Sequence, residues 1–157
     1  MKQKSYKRRV ETLMYLFDGD KVLLGLKKRR LGAGRWNGFG GGQEGGETLE
    51  QAAIRETKEE IGVDVQSTQY HGVIDFYLEH AGEIHEVHIF SATQFSGEPC
   101  ESDEMTPQWF LKTAIPYADM WPSDVHWMPY LLKGKTFRGT INFTDYTTIQ
   151  SVEIREL

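Results

Sequence analysis

The sequence predicts an α+β fold, a mixed sheet flanked by two main helices. Three observations predict it. Runs rich in β-branched and aromatic residues recur along the chain, separated by turn residues. A glycine-rich stretch leads into a segment with apolar residues at helical spacing, GGQEGGETLEQAAIRETKEEIGV at 41–63. A second, shorter helical pattern follows Ser123. The 157 residues are enough for one domain with a full core, and no repeat, low-complexity tract or linker divides 1–157.

Residues 8–17, RRVETLMYLF, read as a strand, and Asp18-Gly19-Asp20 as a turn. KVLLGLKKR at 21–29 is the return strand of a hairpin. Lys27, Lys28, Arg29 and Arg30 form a basic cluster there, which reads either as a solvated edge that blunts strand pairing or as a phosphate contact. Residues 31–46 are loop-like, with a short strand at Trp36 to Phe39. They carry Gly32 and Gly34, but Asn37 stands where a dinucleotide fingerprint needs its third glycine, and the Lys-Ser/Thr ending of a P-loop is missing.

Thr48 and Gln51 make a capping box at the start of the first helix. Leu49, Ala52, Ala53 and Ile61 supply its apolar stripe, and Gly62 ends it, since glycine tolerates the left-handed conformation. Residues 63–78 alternate as a strand, 80–83 form a hairpin tip, and 84–95 return. His85 and His88 are an odd number of residues apart and so face opposite ways on a strand, which argues against a zinc pair. Residues 97–105 are an acidic loop, and Trp109-Phe110 begin a short strand or a helix entry. Ser123 caps a last helix that runs to Leu132 with Trp127 and Leu131 on one face; Pro129 kinks it or marks its first turn. Residues 137–143 and 148–157 are two closing strands.

The net charge of −5 argues against a binder of nucleic-acid polymers, which carries a basic excess. It leaves room for a nucleotide enzyme, because a metal can neutralise phosphates. No apolar run approaches the roughly 20 residues that span a bilayer. The N-terminal MKQKSYKRRV is basic without the apolar stretch of a signal peptide. Cys100 is the single cysteine, so no intrachain disulfide forms, and a reducing, cytoplasmic compartment fits. A monomer is expected.

The acids of the first helix need a reason. Glu56 and Glu60 are four apart and share a face, with Glu59 beside them. Like charges at this spacing cost roughly 0.2–0.5 kcal/mol, and the last turn of a helix prefers cations. The face is either a solvated acidic surface or a seat for a hard divalent cation such as Mg²⁺, which takes oxygen ligands.

The full spacing is Gly41, five residues, Glu47, seven residues, Arg55-Glu56, then Glu59-Glu60 and Gly62. It resembles the signature of the Nudix hydrolase family, with Thr57 where an aliphatic residue is usual. LLGLKKR, GAGRWNGFGG, ESDEM and DMWPSD extend the likeness over essentially the whole chain to the MutT-type oxidised-purine nucleoside triphosphatases, in particular their animal form.

The resemblance implies the Nudix fold, an α-β-α sandwich. It implies that Glu56 and Glu60 hold Mg²⁺, or Mn²⁺ in its place, with the backbone carbonyl of Gly40 and the carboxylate of Glu104. Glu59 is implied as ligand or base, with Glu104 the alternative base, and Arg55 as the partner that orients Glu47 through a bidentate contact. The implied reaction is attack on the β-phosphorus of a purine nucleoside triphosphate, giving monophosphate and pyrophosphate, in sanitation of the nucleotide pool and avoidance of DNA damage. Base recognition falls to Asn37, offering donor and acceptor, to Trp121 as a stacking platform, and to an ionised Asp124. Thr12, Lys27, Phe76, Leu78 and Met105 are expected to line the same pocket.

Three departures stand out. Ser123 and Asp124 replace two adjacent acids, which favours oxidised guanine (8-oxo-dGTP) over oxidised adenine. Leu31 replaces an aromatic residue at the rim, and His85 a methionine. Two other readings remain: an ordinary or methylated purine triphosphate as substrate, and a nucleotide-binding module without catalysis.

Overall fold

A computed structural model describes residues 5–157. Part of the basic N-terminal stretch, Lys2 and Lys4 included, lies outside the described residues. Strands β1 (Lys7–Asp18) and β2 (Lys21–Lys27) form the expected hairpin, pairing Leu16 with Leu23 across a turn whose Gly19 has φ 58°. β3 is only Trp36–Asn37, shorter than expected, because the chain then leaves β2 and bridges Phe39 to Met14 of β1. Helix α1 (Leu49–Ile61) starts with the full capping box, Thr48 Oγ1 accepting from Gln51 N at 3.1 Å and Gln51 Oε1 from Thr48 N at 2.9 Å. It ends at Gly62, φ 74°, as the sequence required.

β4 (Asp64–Leu78) and β5 (Glu83–Ser96) are antiparallel, joined by a single 3₁₀ turn. β6 is Met105–Leu111, α2 Asp124–Leu132, β7 Phe137–Asp145 and β8 Thr148–Glu156. The sheet order is β3-β2-β1-β5-β4-β7-β8, with β6 on the other side of β2. β1 with β5 and β4 with β7 are parallel, the remaining pairs antiparallel, so the sheet is mixed.

β1 explains the layers. Successive residues of a strand face opposite sides. Met14 and Leu16 pack with Ala53 and Ile61 of α1, while Tyr15 between them packs with Trp127, Met128 and Leu131 of α2. The helices therefore cover opposite faces of a sheet that is apolar on both sides, which is the expected α-β-α sandwich. No helix among the described residues is long and apolar enough to cross a membrane.

Four local readings differ or are resolved. The acidic loop ends before Met105, which opens β6, so Trp109 and Phe110 lie inside that strand. Thr106-Pro107-Gln108 conceals it, and a proline is tolerated there because β6 is an edge strand. β6 also pairs with β2 along its length, so the basic cluster does not guard an exposed edge. Ser123 precedes α2 as expected but makes no side-chain cap; its backbone is already helical at φ −74°, ψ −22°. Pro129 sits inside α2 and not in its first turn.

Candidate functional site

The glycine run lays bare backbone between β1 and α1. Thr12 N–H donates to Gly41 O at 3.0 Å, and Met14 N–H to Phe39 O at 2.6 Å. A Cβ on Gly40 would stand 1.7 Å from Thr12 O, and one on Gly41 2.8 Å from the Glu56 carboxyl. No side chain fits at Gly40, so the glycine there is a steric requirement.

On α1, Arg55 grips Glu47 with both arms of its fork, Nε to Oε2 at 2.7 Å and Nη2 to Oε1 at 3.0 Å. Its Nη1 reaches Glu56 at 3.0 Å and Glu59 at 3.2 Å. The Glu47 carboxyl, bonded to Arg55 and to Glu44 N–H, is held below the usual carboxylate range. Arg55 thus ties the loop to the helix and gathers three acids around one cation.

Glu60 differs from its neighbours. It is 3% exposed. Its Oε1 accepts from Gly40 N–H at 3.2 Å, while Oε2 has no partner. Burial, then the charge of Glu56, pushes its pKa up to about 8. Burial also raises Glu56, against the pull of Arg55, and the charge of Glu104 raises both. Glu104 itself contacts Arg29 at 3.4 Å.

Among the described residues no group of three or more His, Cys, Asp or Glu side chains is arranged to hold a metal ion as it stands. Glu59 and Glu104 are turned onto arginines instead. The donor chemistry nevertheless suits a hard divalent cation: Glu56, Glu60 and Glu104 burden one another with like charge, and the buried Glu60 carboxyl leaves one oxygen unsatisfied. A cation beside Glu60 would supply the missing countercharge.

The eight residues expected at the substrate pocket, Thr12, Lys27, Asn37, Phe76, Leu78, Met105, Trp121 and Asp124, line one cavity of about 270 Å³. Gly40 and Gly41 line it too. The same two glycines touch Glu60 and Glu56, so cavity and acidic helix meet at this backbone. Of the basic cluster, Lys27 lines the cavity, while Lys28 and Arg29 pair with Glu101 and Glu104 of the acidic loop.

Two expectations are refined here. Asn37 Oδ1 accepts from Gly38 N–H at 2.8 Å and from Tyr15 O–H at 3.1 Å. Both lone pairs are used, so Asn37 offers its NH₂ donors and not the acceptor expected beside them. Asp124, 4% exposed, accepts at Oδ1 from Trp127 Nε1 at 3.0 Å and leaves Oδ2 without a partner. Burial pushes its pKa up to about 7, so near neutral pH it is divided between acid and carboxylate and is not the fully ionised group expected. Thr12 Oγ1 is a second buried, unpartnered polar atom of the lining.

Sequence reasoning missed several wall residues. The Arg35 guanidinium lies 4.2 Å from the centroid of the Trp121 ring, a cation–π contact on one face of that indole. Glu11, Phe143 and Tyr146 also line the cavity. Only Arg35 carried a signal, as a cation immediately before Trp36 in a glycine-rich loop.

The NUDIX domain profile matches residues 7–131. The chain is 48% identical over 149 residues to an oxidized purine nucleoside triphosphate hydrolase of Mus musculus, covering 95% of this chain and 96% of that protein. It is 45% identical to a protein of the same description from Danio rerio, covering 93% and 94%. Its fold is similar to the crystal structure of a mutator MutT protein from Bacillus halodurans, with TM-score 0.82, 27% identity, and coverage of 93% and 97%.

Proposed function

Since this chain belongs to the NUDIX domain family, whose hydrolases generally use divalent metal ions, we propose that it is a Mg²⁺-dependent hydrolase of oxidised purine nucleoside triphosphates. The products are the nucleoside monophosphate and pyrophosphate. One observation carries the reading: a cavity of about 270 Å³ with buried, unsatisfied polar atoms abuts the acidic helix through Gly40 and Gly41. The similarity over nearly the full length to proteins named for this activity supports it. One domain, 1–157, is enough for it.

In this reading Glu56, Glu60 and Glu104, with the Gly40 carbonyl, would hold the cation. When bound, such a cation would offset the charge of the phosphates and lower the pKa of a water at the site. Water attacks the β-phosphorus, the bond from that phosphorus to the α–β bridging oxygen breaks, and the oxygen leaves with the monophosphate. Glu59 or Glu104 takes the water's proton. Arg55 keeps Glu47, Glu56 and Glu59 in place. Lys27 meets the phosphates, while Trp121 stacks on the base from the ring face that Arg35 does not cover. The Asn37 NH₂ donates to the purine edge, and Asp124, when ionised, accepts from it. Phe76, Leu78, Met105 and Thr12 complete the wall.

Glu56→Gln and Glu60→Gln test the chemistry: each should abolish pyrophosphate release with the fold intact by circular dichroism, and retained turnover in both would sink it. A comparison of kcat/KM for 8-oxo-dGTP and dGTP tests the substrate. A preference below about tenfold, some 1.4 kcal/mol, would favour an ordinary purine triphosphate.

A further inference from the structure

His85 is held by acids on both sides in the wall of the cavity. Its Nδ1 forms an ion pair with Glu11 Oε1, and its Nε2 lies 2.8 Å from Glu83 Oε2. A carboxylate only accepts, so an imidazole between two of them must donate from both nitrogens, which makes it the imidazolium. Burial opposes this charge, but the hydrogen bonds to Glu11 and Glu83 outweigh it and raise the pKa. Arg9 closes the row, with Nε 3.1 Å from the same Glu83 oxygen. The charges alternate along it: Glu11, His85, Glu83, Arg9.

The row is part of the pocket, because Glu11 and His85 both line the cavity. His85 stands opposite Phe76 in the β4–β5 register, so it flanks the base-binding wall. β4 contributes Phe76 opposite His85 and Leu78 opposite Glu83, neither of which carries charge. Glu11 bridges to Gly42, next to the backbone that joins the cavity to the acidic helix. Its Oε1 is buried, so water screens it poorly and His85 is the charge that offsets it.

We propose that His85 determines nucleotide affinity by neutralising Glu11. A nucleoside triphosphate is a polyanion, and a bare carboxylate in the wall of its pocket would repel it. The imidazolium cancels that carboxylate, while Glu83, the second acid it faces, is cancelled by Arg9. His85 is thus a positioning residue that acts through Glu11. The inference rests on the proposed reading of the cavity as a nucleotide site.

The test is a double-mutant cycle, read in steady-state kinetics with 8-oxo-dGTP and dGTP. His85→Met leaves Glu11 unpaired and should raise KM on the order of tenfold, with kcat changed far less. Glu11→Gln/His85→Met removes the orphaned charge and should return KM to within about threefold of the wild type. A role in packing alone predicts the opposite, a double variant at least as impaired as the single one. If His85→Met does not fold, the double variant still decides, since a fold and KM near wild type support the charge argument and a second failure overturns it. A His85→Met KM within about twofold of wild type, or a double variant no better than the single, also overturns it. A wild-type protein that hydrolyses neither nucleotide would sink the functional reading, and this inference with it. An active wild type with an unresponsive cycle sinks this inference alone.

Discussion

Removing divalent cations should make this protein less stable as pH rises, and Glu60 sets the size of the effect. Its carboxyl is almost fully buried, with one oxygen unpartnered, and its pKa rises from 4.5 to about 8. The folded state therefore binds the proton more tightly than the unfolded chain. That contribution is fully present below the unfolded pKa and is lost as pH climbs from about 4.5 through about 8. At about 1.36 kcal/mol per pKa unit, an upper bound is on the order of 5 kcal/mol. For a chain of this size each kcal/mol moves Tm by about 2–4 °C, so a fall on the order of 10 °C is expected. Asp124, with its pKa near 7, acts in the same direction over a lower window. His71, which burial holds below 6.5, acts oppositely at the acid end. The assay is thermal denaturation in chelator at pH 5 and pH 8.5, repeated with excess Mg²⁺ and with Glu60→Gln. Mg²⁺ should restore the part of the loss at pH 8.5 that Glu60 causes, and Glu60→Gln should reduce the slope to the part that Asp124 contributes. Equal Tm at both pH values in chelator, or a Glu60→Gln variant with the full slope, would refute the reasoning.

Arg55→Lys keeps a charge but loses the fork on Glu47, so kcat should fall about 10- to 100-fold with little change in circular dichroism. Gly40→Ala puts a methyl 1.7 Å from Thr12 O; urea denaturation should register a loss of about 3 kcal/mol or more, or the protein should fail to accumulate in soluble form. Asp124→Asn removes a group that titrates near 7. If ionised Asp124 accepts from the oxidised guanine edge, wild-type KM should fall as pH rises from 6 to 8 and the Asn variant should lose that component of the profile.

The parts legible in the sequence are those set by short-range geometry. Thr48 and Gln51 are three residues apart, Glu56 and Glu60 four, and Gly62 directly follows the last turn. Each relation lies within one or two helical turns, where spacing alone fixes which side chains meet. The hairpin of β1 and β2 was readable for the same reason. β6 was not, because Met105 to Gln108 gain strand geometry only by pairing with β2, about eighty residues earlier in the chain. The full list of pocket positions came through the resemblance, since no local pattern joins Thr12 to Trp121.

The states of the site groups lay further out of reach, because each depends on a neighbour remote in sequence or on burial. Asn37 loses its acceptor to Tyr15, which reaches it only because the loop lies across β1. Asp124 and Glu60 bind their protons more tightly than ordinary carboxyls because the fold buries them and leaves one oxygen of each unmatched. The glycine run links the two levels. Its composition already says that backbone must approach something closely, and the fold supplies what: Thr12 on one side and the Glu56 carboxyl on the other. The backbone from Gly40 to Gly41 is therefore both wall of the cavity and floor of the acidic cluster. In the proposed reading, a side chain there would separate the place where a base sits from the place where phosphates are cut. On that reading the glycines are as much a requirement of the chemistry as the glutamates, although they contribute no ionisable group.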